Sequence, residues 1–114
     1  TLPDSAKTVD TVLLAQALYK AGEYESALRA FKLIDLGSLS KEDKVFVQYM
    51  TACCLRRANQ LSAASVLYRE IADAREDEFL TECALWQLST IRWRQDLEKQ
   101  LGEMKQRREA IVPK

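Results

Sequence analysis

The sequence predicts an all-α domain built from a repeated helix-turn-helix unit. Three observations carry that expectation. Helix-forming residues dominate the 114-residue chain, which is 47% hydrophobic and 30% charged, and only three glycines and two prolines punctuate it. Apolar residues recur at spacings of three and four rather than in alternation. The stretch Leu14–Phe31, LAQALYKAGEYESALRAF, returns 37 positions later at Thr51–Tyr68 as TACCLRRANQLSAASVLY. By length this is a single domain, able to bury about two thirds of the surface its unfolded form exposes.

Taken in order, Asp4 or Ser5, after Pro3, is placed to cap a first helix that runs to about Ala21. Val12, Leu14, Ala15, Leu18 and Tyr19 give it a broad apolar face. Gly22 suits the left-handed conformation that stops a helix without steric penalty. A second helix begins at Glu23 and carries Tyr24, Ala27, Leu28, Phe31 and Ile34. Leu36-Gly37-Ser38 is expected to close it, with glycine again at the stop. Ser40 caps a third helix and sets Glu42 and Asp43 in its first turn, where the helix dipole favours acids. That helix, Lys41–Ala58, is apolar nearly all round and is therefore expected to be the central, doubly packed one. Asn59 stands where Gly22 stood, and asparagine is the next best residue for that conformation.

A fourth helix follows with Leu61, Ala64, Leu67, Tyr68 and Ile71, and a fifth, capped near Asp77, holds Phe79, Leu80, Cys83, Ala84, Leu85, Trp86, Leu88, Ile91 and Trp93. From Asp96 onward the pattern turns charged, with Leu97, Leu101, Met104 and Ile111 as its regular apolar marks. This predicts a separate C-terminal capping helix, because a stack of repeats needs a last element with one wet face. The same spacing also suits a short coiled-coil seam, which Arg108 interrupts.

Shifted by 37, Leu14, Ala15, Leu18, Gly22, Tyr24, Ala27, Phe31 and Ile34 fall on Thr51, Ala52, Leu55, Asn59, Leu61, Ala64, Tyr68 and Ile71. A third copy of the first helix follows at Leu88, Ser89, Arg92 and Asp96. Small residues at Ala15, Ala52, Ser89, Ala27 and Ala64 permit close helix approach, and the bulky members fill the space around them. The first unit, L-A-x-x-L-x-x-x-G-x-Y-x-x-A-x-x-x-F, resembles the tetratricopeptide repeat. The second departs at Thr51, Asn59 and Leu61, and the third keeps only its first helix in register, with Arg92 at an otherwise apolar position and able to pair with Asp96. The resemblance implies a short right-handed solenoid: repeat one at about 5–37, repeat two at 40–75, and a degenerate repeat three plus capping helix at 77–111. The three residues beyond the family's period are expected in the linkers 36–40 and 72–77.

Several functions have little to stand on. The 17 basic and 17 acidic residues cancel, so no net field draws the chain toward nucleic acid or a membrane surface. No 18-residue apolar run is present to span a bilayer. The absence of histidine removes the commonest general base and metal ligand. The three glycines are isolated, so no phosphate-binding loop forms. Cys53, Cys54 and Cys83 have no metal-site spacing and read as small hydrophobes in a reduced chain, which favours a cytoplasmic setting. Thr1-Leu2-Pro3-Asp4 does not resemble a signal peptide. Because the chain does not start with methionine, an upstream segment is expected, and an anchor there would lie out of view. No catalytic residue, cofactor or metal is expected.

In tetratricopeptide proteins the first helices of successive units line a concave groove, and the residues between their core positions face the ligand. Carried onto this chain, those positions are Val12, Gln16, Tyr19 and Lys20; then Tyr49, Cys53, Arg56 and Arg57; then Trp86, Thr90, Trp93 and Arg94. Lys20, Arg57 and Arg94 recur at the repeat period and are expected to form a basic track, with Tyr19, Arg56 and Trp93 in a parallel row. Aromatics beside arginines are the residue types that dominate interface hot spots. The implied function is a non-enzymatic module that takes a protein or peptide segment, acidic in character, in its groove. The family's carboxylate clamp for chaperone tails is not expected, since Val12, Gln16, Met50, Cys83 and Gln87 occupy its positions. The alternative is a structural assembly piece that weakly self-associates or stacks on further repeats.

Overall fold

The computed structural model describes residues 4–112, with side chains from Thr8 onward. Five helices follow one another: α1 (Asp4–Lys20), α2 (Tyr24–Lys32), α3 (Lys41–Arg57), α4 (Leu61–Ala74) and α5 (Glu78–Ile111), with a short 3-10 turn at Leu36–Ser38. No strand occurs among the described residues. Each helix packs on its neighbour in sequence, and α3 also touches α5.

The first two hairpins turn in the same way. At the end of α1, Gly22 adopts a φ of 81°, its N–H donates to the Tyr19 carbonyl at 3.0 Å, and the Glu23 N–H donates to Leu18 at 2.9 Å. At the end of α3, Asn59 adopts a φ of 63°, its N–H donates to Arg56 at 3.0 Å, and the Gln60 N–H donates to Leu55 at 2.8 Å. Each bond is the other displaced by 37 residues. This paired closure satisfies carbonyls that a helix end leaves open, and it requires a residue tolerant of positive φ. The repeat therefore exists in backbone conformation as well as in residue pattern.

Packing repeats with the same period. Ala15, Ala27, Ala52 and Ala64 are all 0% exposed, which lets the helices approach closely. Phe31 and Tyr68 fill the gaps beside them, and Ile34 and Ile71 are buried further along. As its apolar girth predicts, α3 is the central element: it packs against α2, α4 and α5 and buries Ala52, Cys53, Cys54 and Leu55 in succession. The expected caps form where their side chains are described. Ser40 accepts from the Asp43 N–H at 3.2 Å, and Asp77 from the Leu80 N–H at 2.9 Å. The cap expected at Asp4 or Ser5 falls on side chains outside the described set.

Two local expectations are corrected, and one turn is new. Gly37 is not a left-handed stop; α2 ends at Lys32, and the Asp35 carboxylate accepts from the Gly37 N–H at 3.0 Å to hold the 3-10 turn. After α4 the left-handed residue is Arg75, at a φ of 49°, a position with no glycine or asparagine to announce it. Arg92 does not pair with Asp96; the ion pair among the described residues is Arg94–Glu98, at 3.2 Å.

The largest correction concerns the C-terminus. No separate capping helix forms: α5 runs 34 residues without a break, about 50 Å at 1.5 Å per residue. It accounts for much of the 71 Å long axis of the molecule. Only its first half is docked, through Leu80, Ala84, Gln87, Leu88 and Ile91, and every residue from Arg92 to Val112 is exposed. The reason lies in the register. A fold-back at Asp96, two periods after Gly22, would place Lys105 where Phe31 and Tyr68 are buried, and Arg108 where Ile34 and Ile71 are buried. Burying two unpaired cations costs several kcal/mol, about as much as a domain's whole stability. Continuing as helix avoids that cost.

Candidate functional site

The residues that the sequence singled out lie on α1, α3 and α5, with Trp93 and Arg94 just beyond the docked half of α5. The series Val12, Tyr49, Trp86 passes from half-buried through half-buried to exposed. Gln16 and Thr90 are half-buried on the face, and the Thr90 hydroxyl donates back to the Trp86 carbonyl at 3.0 Å. Cys53, between them in the series, does not belong to the surface: it is 5% exposed and its sulfur accepts a hydrogen bond from the Tyr68 hydroxyl at 3.2 Å. Its removal from the groove follows from the girth of α3, which packs on both sides at this level.

The cationic series lies at the C-terminal ends of α1 and α3 and within α5. Lys20, Arg57 and Arg94 are all exposed. Arg57 lies over the Tyr24 ring at 5.8 Å from its centroid, a cation–π contact that joins α3 to α2, and Tyr24 packs edge-on against Tyr19 at 5.3 Å. Arg94 donates to the Asn59 side-chain oxygen at 3.5 Å and to Glu98 at 3.2 Å. Arg57 is thus held by an aromatic ring, and Arg94 by an amide and the Glu98 carboxylate. Tyr24 and Asn59 are thus part of this site. The sequence marks them as a core residue and a turn residue, and only their spatial neighbours reveal the second role.

Next to Arg57 lies a polar cluster. Tyr19 and Arg56 are half-buried, and the Arg56 guanidinium approaches Tyr68, Cys53 and Tyr19. Its Nε is buried without a hydrogen-bond partner. Tyr49 packs edge-on against Tyr68 at 5.6 Å and receives a 3.5 Å hydrogen bond from Gln87, which links α3 to α5. Burial pushes the Tyr49 hydroxyl up to about 12 and the Cys54 thiol up to about 11, and it raises Cys53 and Tyr68 as well. The cluster therefore holds neutral hydroxyls and thiols around one fixed cation. Thiols stabilised in their protonated form are poor nucleophiles.

Trp86 and Trp93 complete the face at its far side, 65% and 66% exposed. Neither packs under a following helix, because none returns over them. Beside the face, a cleft of about 350 Å³ between α4 and α5 is lined by Ser65, Arg69, Leu85, Leu88, Arg92 and Gln95. No group of three or more histidine, cysteine or acidic side chains capable of holding a metal occurs among the described residues. Nor is any helix among them long and apolar enough to cross a membrane. The chain matches no family model, no curated protein and no solved structure.

Proposed function

We propose that the chain is a tetratricopeptide-like interaction module that receives an acidic protein segment on the face made by α1, α3 and α5. The supporting observation is the pairing of an exposed cation row, Lys20, Arg57 and Arg94, with the exposed indoles of Trp86 and Trp93 on that face. The turns repeated at Gly22 and Asn59, and the alanine-lined contacts repeated with them, favour the family resemblance and a short solenoid arrangement. In this reading the indoles supply apolar contact area, and the cations select for carboxylates and set orientation.

The test is a panel of acidic peptides, helical and extended, titrated against the chain and read by fluorescence anisotropy. Arg57→Glu and Trp93→Ala should each abolish binding of any peptide the native chain retains, with far-UV circular dichroism unchanged. Equal affinity in both variants would overturn the groove. A second reading, assembly, is favoured by the cleft of about 350 Å³ between α4 and α5, beside which Leu85 is 40% exposed. It is separable by light scattering over a concentration series.

A further inference from the structure

The exposed half of α5 carries more order than a solvated tail needs. At about 100° per residue, Phe79, Trp86, Trp93, Leu97, Leu101, Met104 and Ile111 fall within about 80° of one another around the helix. They make one straight stripe along nearly its whole length, apolar except at Thr90 and Arg108. The docked residues Leu80, Ala84, Leu88 and Ile91 lie on a different side, so α5 has two apolar faces. The second is open: Leu101 is 54% exposed and Met104 57%. Nothing among the described residues covers it, since every residue from Arg92 to Val112 is exposed.

We propose that this stripe pairs with the same stripe of a second copy, with the two α5 helices antiparallel. The flanking charges select both the occupant and its direction. Over the last turns Leu97, Leu101, Met104, Arg108 and Ile111 alternate by four and three, the spacing of a helix-pair seam. Setting Leu101 against Met104 of the second copy, in antiparallel sense, brings Glu98 beside Lys105 of that copy, and symmetry repeats the pair. Gln100 then faces Arg107, and Arg108 leaves the seam past Leu97 with its stem on apolar surface. The parallel arrangement instead sets Arg108 against Arg108 in the seam and faces Lys105 with Gln100. Glu98 already bonds Arg94 within its own helix and, being half exposed, keeps a carboxylate edge for the second cation. The overlap covers about 20 residues from Trp93 onward, roughly 30 Å of helix.

This inference goes beyond the groove reading; its overlap takes in Trp93 and Arg94, and its test substitutes neither. Sedimentation equilibrium of the chain over a concentration series should show a species of twice 13.0 kDa that dissociates on dilution. Leu101→Glu combined with Met104→Glu should give monomer at every concentration. Lys105→Glu should weaken the dimer by roughly threefold to thirtyfold, the effect of two exposed pairs reversed, and adding Glu98→Lys should restore it. Orientation is read by disulfide trapping in a Cys83→Ser background. Leu101→Cys chains mixed with Met104→Cys chains should cross-link to each other, faster than Leu101→Cys chains cross-link among themselves. A native chain that stays monomeric, a dimer indifferent to the glutamates at 101 and 104, or dominant Leu101→Cys self-coupling would each overturn the proposal.

Discussion

The two halves of the molecule answer the same sequence period in opposite ways. At Gly22 and Asn59 the chain reverses, and each reversal is followed by a short helix whose small and bulky residues seal the core. At Asp96, the third member of that series, the chain goes straight on. Asp96 could adopt the left-handed conformation with little more strain than Asn59. The turn residue is therefore not what decides. The following segment decides: after Gly22 and Asn59 come Phe31 and Tyr68, whereas after Asp96 comes Lys105. A turn is retained only when the helix beyond it has something to bury, and the cost of an idle turn is the helical hydrogen bonds given up to make it.

That contrast can be broken most sharply with aromatics. Tyr68→Ala removes a side chain with no exposure from the repeated region and should cost about 3–5 kcal/mol, read as a lower midpoint in urea unfolding. Trp93→Ala, a larger truncation in the extended region, should change the stability of the diluted, monomeric chain by less than about 0.5 kcal/mol, because two thirds of the indole is in water there. If both truncations cost alike at that dilution, the tail is packed within its own chain, which would contradict an exposed α5.

Alkaline pH should act on the repeated region. Burial holds Cys54 protonated up to about 11, above the usual thiol value of 9.0. Below that ordinary value the thiol is neutral in both folded and unfolded chains and contributes no pH dependence. Between about 9 and 11 the unfolded chain releases the proton and the folded one keeps it. Stability should therefore fall as pH rises, by about 1.4 kcal/mol per pH unit for this group. Cys54→Ala should flatten the profile by that amount when unfolding free energy is measured across the window.

Smaller effects come from the turn series itself. Gly22→Ala forces a side chain into a φ of 81° and should destabilise by about 1–2 kcal/mol, although open space surrounds the new methyl group. Asp96→Ala should do the reverse, raising helix propensity by about half a kcal/mol and stabilising α5 in a thermal scan. Opposite signs at equivalent positions would confirm that the third unit has abandoned the turn. Matching signs would mean that a reversal at Asp96 forms in solution.

Much of this was legible before any coordinates. The helix starts at Ser40 and Asp77, the stops at Gly22 and Asn59, and the centrality of α3 all follow from short-range chemistry: capping oxygens, tolerance of positive φ, and an apolar girth. The exposure of Lys20, Arg57 and Arg94 agrees with their shared place in the period of 37. Cys53 misled, since the residue that carries the groove series into α3 sits where that helix is packed on both sides. Periodicity reports which face a residue shares, and burial depends on what lies opposite.

By itself, then, the sequence determined the helices, their repeat and the kind of residue on each face, because those depend on neighbours within a few turns of the same chain. Only the tertiary structure decided that α5 runs unbroken, that Tyr24 and Asn59 steer the arginines, and that a second apolar stripe stands open. Those outcomes turn on whether a distant segment can bury what it would have to cover, a comparison between Lys105 and the core at Phe31 and Tyr68 that no local pattern contains.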